Sequence, residues 1–326
     1  MSPSKPAILS LVPLLPFVET WIDDAFAVHR LWQAKDREAE LAKLRDVVRG
    51  ICSFGHEPIN GPLLDKLPQV KIVSLMSVGY DSVDVPALQA RGVALTNTPD
   101  VLTDEVADLA VALVIAAARR IVAGDKYVRE GRWKRDGNMA LASGVRGKTL
   151  AILGLGRIGA AIAKRAEVFG MRVIYGGRTR HANSPYPYYG DLVAMARDAD
   201  FFLVAVPGGP ATRHMVTKEV IAALGAKGTL VNIARGSVVD EPALIQALKD
   251  KRIMAAGLDV FAQEPQVPAE LIAMDNVVLL PHVGSASVFT RDKMDQLVVD
   301  NIAAWVAGKP PLTPVAETPW QSWPKS

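Results

Sequence analysis

The 326 residues predict an α/β protein built from two parallel-sheet domains. Two observations lead there. Short apolar runs of strand length alternate with helical runs along the chain, as expected when strands are buried on both faces by crossover helices. A glycine fingerprint that ordinarily opens such a domain begins only near the middle, at Leu153-Gly154-Leu155-Gly156-Arg157-Ile158-Gly159. Something else must therefore come first, and it has enough residues for a domain of its own.

In the first part, Ala7 to Val12, Val47 to Cys52, Val70 to Met76 and Val93 to Thr96 read as buried strands, and Trp21 to Trp32 reads as helical. Together they predict a small parallel domain. Asp100 to Ile121 is a long helical stretch without charge from Leu109 to Ala118. Such a helix lies either in a core or at an interface between domains or subunits.

The second part begins with the strand Thr149-Leu150-Ala151-Ile152, then the fingerprint, then the helical run Ala160 to Ala166 and the strand Met171 to Tyr175. Apolar runs at Phe201 to Val206, Thr229 to Ala234, Met254 to Val260 and Val277 to Leu280 bring the expected strands to six. This is the dinucleotide-binding arrangement, so the fold class is α/β with two Rossmann-like or flavodoxin-like domains and a cleft between them. The helical run Arg291 to Val306 is expected to return to the first domain. The domains become 1–98 with 287–326, and 99–286. The tail from Lys309 carries Pro310, Pro311, Pro314, Pro319 and Pro324 and is expected to lie extended, with Trp320 and Trp323 able to dock its end.

The glycines have separate physical reasons. Gly154 allows the tight turn, Gly156 lets a pyrophosphate approach the backbone, and Gly159 lets the helix pack on the strand. Amides at the helix start, from Arg157 and Ile158, suit a diphosphate. Where the second strand ends, NAD-specific sites usually carry a carboxylate for the ribose hydroxyls, but this chain reads Tyr175-Gly176-Gly177-Arg178-Thr179-Arg180. Nothing there repels a 2′-phosphate, and Arg178, Thr179 and Arg180 supply donors for one. NADPH (NADP+) is expected over NADH, which remains possible.

Composition narrows the function classes. Half of the residues are hydrophobic and the formal charge is only +3, without a basic block, so nucleic acid is not implied. The apolar stretch Ala7 to Pro16 is interrupted by Pro13 and has no cleavage-site pattern, and no run is long enough to span a bilayer. A cytoplasmic protein without membrane contact is expected. The single cysteine, Cys52, excludes an intramolecular disulfide and reads as a buried strand-end residue. His29, His56, His181 and His214 have no metal-ligand spacing, so no metal is expected.

Strand ends of the second part also supply a set of groups suited to carbonyl reduction. Arg235 follows one strand, Asp259 ends the next, Glu264 lies just beyond it and His282 follows the last. Ligands of open α/β sheets bind outside the carboxyl ends of strands, so these residues can converge. A carboxylate beside an imidazole stabilises the imidazolium that must give up a proton, and an arginine can grip a carboxylate and polarise an adjacent keto oxygen.

Gly154 to Gly159, Asn232-Ile233-Ala234-Arg235-Gly236, Gly257-Leu258-Asp259-Val260-Phe261 with Glu264-Pro265, and Pro281-His282-Val283-Gly284 resemble the motifs of the D-2-hydroxyacid dehydrogenase family. The matching segments run from about residue 70 to 310 of the sequence. The resemblance implies that 1–98 with 287–326 is the substrate-binding, catalytic domain and 99–286 the dinucleotide-binding domain. It implies that His282 is the acid/base, Glu264 its carboxylate partner and Arg235 the substrate-binding cation. Val78 and Gly79, in Ser77-Val78-Gly79-Tyr80-Asp81, would meet the substrate carboxylate, although that segment also reads as a plain turn. Val206, Pro207, Thr212, Ile233 and Ala234 would line the cofactor. Asp259 and Thr103 would lie near the nicotinamide, although Thr103 also reads as a helix cap.

Gly176-Gly177-Arg178 in place of an acidic position, and Val206-Pro207-Gly208-Gly209-Pro210, resemble the NADPH-dependent glyoxylate/hydroxypyruvate reductase branch. That implies reduction of small 2-ketoacids to D-2-hydroxyacids by a homodimer, with Leu102 to Ile121 and the segment near Trp133 and Met139 as candidate subunit contacts. A reductase of bulkier ketoacids such as phenylpyruvate, and a non-catalytic cofactor-sensing binding protein, stay open as alternatives.

Overall fold

The computed structural model describes residues 5–55 and 57–318. Pro319, Trp320, Trp323 and Pro324, read above as a docking tail, and His56 lie outside the described residues. The chain divides into two units, one of residues 1–102 with 286–326, the other of residues 103–285.

In the first unit β1 (Ala7–Ser10), β2 (Ala27–Arg30), β3 (Val48–Ser53), β4 (Ile72–Leu75) and β5 (Ala94–Thr96) form a five-stranded sheet in the order β2-β1-β3-β4-β5. Every pairing is parallel, which is the flavodoxin-like order. The run Trp21 to Trp32, expected to be one helix, is a correction: the helix Pro16–Ala25 stops there and β2 follows. At this sheet edge Arg30 is held by Glu19 and Asp23 from that helix, and the strand's residues are only half-buried or exposed. A short, half-exposed edge strand lacks the long apolar run by which the central strands are recognised.

The returning helix, Val288–Val306, buries Met294, Val298, Val299, Ile302 and Trp305. The tail then pairs with the opposite edge. Pro314 bridges Thr96 in antiparallel fashion, Val315 donates its amide to Leu95 O, and the amide of Leu95 donates to Thr318 Oγ1. The tail thereby covers backbone groups that an open edge strand would expose.

In the second unit β6 (Thr149–Leu153), β7 (Arg172–Gly176), β8 (Tyr188–Tyr189), β9 (Phe201–Val204), β10 (Thr229–Asn232), β11 (Ala255–Leu258) and β12 (Val277–Leu279) form a parallel sheet in the order β12-β11-β10-β9-β6-β7-β8. Six strands were expected and seven are present. The missed strand, β8, has only two residues, too few for any periodicity.

Strands β6, β9 and β10 are wholly buried, which explains why they read as continuous apolar runs. The helix Thr103–Arg119 buries Ala107, Ala110, Leu113, Val114, Ala117 and Ala118, packed in one core with Leu150, Ile152, Ile162, Ala163 and Val231. Its uncharged stretch therefore serves the core of this unit. Among the described residues no helix is long and apolar enough to cross a membrane.

Candidate active site

The glycine loop sits where the strand order of the second unit reverses, between β6 and β9, the position at which such sheets take ligands. Gly154 follows β6 with φ +99°. A Cβ there would lie 2.8 Å from Val206 Cγ1 and 2.9 Å from Ala205 O, and one on Gly159 would lie 2.0 Å from Gly154 O. Both glycines are thus required by packing. Gly156 differs: it caps the helix Arg157–Val168 with no side-chain hydrogen bond to the first turn, and nothing lies within 4 Å of where its Cβ would be. An open, side-chain-free helix start whose amides are not capped is a fit for a diphosphate. Arg157 is exposed and Ile158 half-buried at this turn.

Beyond β7, Gly177 has φ +155° and its missing Cβ would lie 4.0 Å from Gly154 Cα. The chain leaving β7 therefore runs beside the glycine loop. Tyr188 Oη donates to Gly177 O at 2.9 Å, and Tyr175 Oη accepts the amide of His181 at 2.9 Å. Between these anchors Arg178, Thr179 and Arg180 are exposed, and no carboxylate stands among them. On the other side of the loop, Thr212 donates to Pro207 O at 2.7 Å and is buried, so its hydroxyl shapes the turn that presents Val206 and Pro207.

Three strand ends bring the remaining polar residues together. After β10, Asn232 Oδ1 accepts the amide of Ala234 at 3.0 Å and Asn232 Nδ2 donates to Arg235 O at 3.0 Å, so a buried asparagine sculpts the loop carrying Ile233, Ala234 and Arg235. The next residue, Gly236, permits close packing: a Cβ there would lie 1.9 Å from the backbone of Phe261. Arg235 is half-buried, and its Nη1 donates to Ala234 O at 2.8 Å.

After β11, Asp259 is buried, 1% exposed, and its carboxylate accepts the amides of Val283 at 2.7 Å and Gly284 at 2.8 Å. Burial raises its pKa above the ordinary range, and those two amides partly offset the rise. A Cβ on Gly284 would come 3.0 Å from Asp259 Oδ2 and 3.6 Å from Val106 Cγ2. Val106 lies one turn along the helix that Thr103 opens, so Thr103 and Val106 share a helix face.

His282 follows β12 with φ +53°, a left-handed conformation unusual for histidine and of a kind that clusters at functional sites. Its amide donates to Asp259 O at 2.8 Å. Its Nδ1 lies 2.7 Å from Glu264 Oε2, and Glu264 Oε1 accepts the amide of Phe261 at 3.0 Å. The Glu264-Pro265 peptide is cis. The pair is 30% exposed on each side, which leaves the imidazole reachable.

In the first unit, Val78 O accepts from Asn97 Nδ2 at 2.9 Å and Gly79 O accepts from Ser77 Oγ at 2.6 Å. Both carbonyls are tied back, while among the described residues neither amide has a protein acceptor. Two successive amides left over in a half-buried turn are donors suited to an anion. Cys52 is fully buried in this unit, and burial pushes its thiol up to about 11, well away from nucleophile chemistry. No cluster of three or more metal-ligating side chains occurs among the described residues.

This site and two parallel sheets define a nicotinamide-dependent oxidoreductase acting on a CH–OH group. Residues 111–284 match the family model described as the NAD binding domain of D-isomer specific 2-hydroxyacid dehydrogenases, and the chain belongs to that family. It is 46% identical over 308 residues to a hydroxyphenylpyruvate reductase of Plectranthus scutellarioides, covering 94% of this chain and 98% of the relative. It is 44% identical over 308 residues to glyoxylate/hydroxypyruvate reductase A of Arabidopsis thaliana, with the same coverage of 94% and 98%. Among solved structures, an NADPH-dependent glyoxylate/hydroxypyruvate reductase of Sinorhizobium meliloti in complex with NADP and malonate is 43% identical, with a TM-score of 0.91 over 98% of this chain and 99% of that one.

Proposed function

We propose that this protein reduces small 2-ketoacids, glyoxylate and hydroxypyruvate, to D-2-hydroxyacids with NADPH. The observation that carries the reading is the His282–Glu264 pair, 2.7 Å apart and partly open to solvent. Gly154, Gly156 and Gly159 with the amides of Arg157 and Ile158 would hold the diphosphate, lined by Val206, Pro207, Ile233 and Ala234. Arg178, Thr179 and Arg180 would hold the 2′-phosphate. Thr103 and Asp259 would lie toward the nicotinamide, which supplies the hydride when bound.

The side chains do the rest. The amides of Val78 and Gly79 bind the ketoacid carboxylate, and Arg235 grips the substrate and draws electron density from the carbonyl. With Nδ1 directed at Glu264, His282 presents Nε2 to the substrate and gives its proton to the oxygen that becomes the alcohol. Glu264, itself pinned by the Phe261 amide, fixes the imidazole's orientation.

A second reading, reduction of aromatic ketoacids, is favoured by the hydroxyphenylpyruvate reductase at 46% identity. Initial rates with glyoxylate, hydroxypyruvate and hydroxyphenylpyruvate, each with NADPH and NADH, decide between the readings. An advantage of roughly tenfold for NADPH with the small substrates, about 1.4 kcal/mol, supports the first. Turnover of none of them removes the assignment.

A further inference from the structure

The helix that returns to the first unit carries two buried or half-buried charges one turn apart that are not fully satisfied among the described residues. Asp295 has 0% exposure. Its Oδ2 accepts the amide of Leu15 at 3.2 Å, while its Oδ1 is buried without a hydrogen-bond partner among the described residues. Arg291 precedes it by one turn and is half-buried. Its guanidinium lies over the ring of Phe54, 5.9 Å from the centroid, and makes no hydrogen bond or close ion pair among the described residues. Burial lowers its pKa and the charge of Asp295 pulls the other way. Asp295 stands one turn along the helix without occupying the guanidinium's donors.

The ring that the guanidinium overlies belongs to the loop beside the amide turn already described. Phe54 is followed by Gly55, φ +78°, where a Cβ would lie 2.5 Å from Ser77 Oγ and 3.3 Å from Gly79 O. The loop carrying the Phe54 ring therefore packs directly against the turn that offers the amides of Val78 and Gly79. A partly desolvated guanidinium with unused donors is costly unless an oxygen arrives to meet them.

We propose that Arg291 is a specificity-determining residue of the substrate site: it donates to the oxygen-bearing substituent on the third carbon of a 2-ketoacid whose carboxylate sits on the Val78–Gly79 amides. The inference rests on the ketoacid-reductase reading above and adds the part of the substrate that the catalytic set leaves unread. Glyoxylate has no third carbon, so Arg291 discriminates in favour of hydroxypyruvate, whose third carbon bears a hydroxyl.

The test measures kcat/KM for glyoxylate and hydroxypyruvate in the full-length protein and in Arg291→Met and Arg291→Lys, with folding checked by unfolding temperature. Arg291→Met is expected to lose roughly tenfold or more on hydroxypyruvate, the scale of a hydrogen bond to a charged group, and to stay within about twofold on glyoxylate. Arg291→Lys, which keeps the charge and one donor direction, is expected to recover part of the loss and provides the answer should the methionine variant not fold. Equal losses on both substrates, or no loss on hydroxypyruvate in either variant, would overturn the inference. Failure of the unsubstituted protein to reduce either ketoacid would instead overturn the reading on which it rests.

Discussion

Glu264 and His282, 18 residues apart in sequence, face each other with 2.7 Å between Oε2 and Nδ1, and the carboxylate's second oxygen is held by the amide of Phe261 at 3.0 Å. The carboxylate cannot swing away without giving up a backbone hydrogen bond, so the ring orientation is set from both sides. His282→Gln is expected to lower kcat by about 10³-fold and Glu264→Gln by about 10²-fold, within the usual range for a positioned acid. Steady-state kinetics on variants with unchanged unfolding temperature check this. Glu264→Gln at near-normal kcat would show that the pair is only structural.

Two glycines of one fingerprint should separate binding from folding. An added methyl at Gly159 would lie 2.0 Å from Gly154 O, whereas at Gly156 it meets nothing within 4 Å, and Gly156 has φ −76°, which alanine adopts without strain. Gly156→Ala is expected to keep the unfolding temperature while weakening NADPH binding by tenfold or more, about 1.4 kcal/mol. Gly159→Ala is expected to lose both. Tryptophan fluorescence titration beside a thermal melt reads the two quantities; unaltered cofactor affinity in Gly156→Ala would remove the diphosphate from that turn.

Arg178 and Arg180 are exposed beyond β7, and their predicted effect is on cofactor choice alone. The double change Arg178→Gln with Arg180→Gln should lower kcat/KM for NADPH by roughly 10- to 100-fold, the scale of one or two charge-assisted hydrogen bonds. NADH should be unaffected, since it has no 2′-phosphate. A parallel fall with both cofactors would count against the assignment.

How much of this was readable beforehand follows from where the information sits. Gly154, Gly156 and Gly159 announce themselves because a strand and a helix flank them, and strands such as Phe201–Val204 are apolar on both faces. Arg235, Glu264 and His282 stand at strand ends, a position with functional meaning in this architecture. The edge strands β2 and β8 were not legible: one is half-exposed and the other has two residues, so neither carries a periodic signal. Nor did the sequence single out Arg291 or Asp295. Both lie on a long helix with other charges beside them, where a charged residue reads as solvated until packing shows that it is buried.

The segment after the core helix has a different character. Ile121, Val122, Val128, Trp133 and Leu141 are 53%, 53%, 57%, 62% and 99% exposed, a concentration of large apolar side chains that suits a subunit interface. A homodimer is expected to form through this segment, which follows the helix whose other face packs in the core. Trp133→Asp with Leu141→Asp should convert a dimer to a monomer in light scattering coupled to gel filtration. An unchanged dimer would move the interface elsewhere.

Asp295 makes a prediction about pH and stability that is independent of catalysis. Burial raises its carboxyl to about 6 from an ordinary 3.8, against the opposing pull of the Leu15 amide and Arg291, with Asp292 and Glu19 adding to the rise. The folded state therefore holds a proton that the unfolded chain releases between about pH 4 and pH 6, so this group's contribution to stability is present below that window and is lost as pH rises through it. Above pH 6 the buried charge, net of those partners, costs at most about 3 kcal/mol, two units at roughly 1.4 kcal/mol each. Asp295→Asn keeps an acceptor for the Leu15 amide and removes that charge, at the expense of the counter-charge to Arg291. The substituted protein should be more stable than the parent at pH 7.5, by less than that ceiling, and should lose the advantage at pH 4.5. Urea unfolding at the two pH values measures the difference, and equal destabilisation at both would mean that the carboxylate's hydrogen bond and its pairing with Arg291 outweigh its burial.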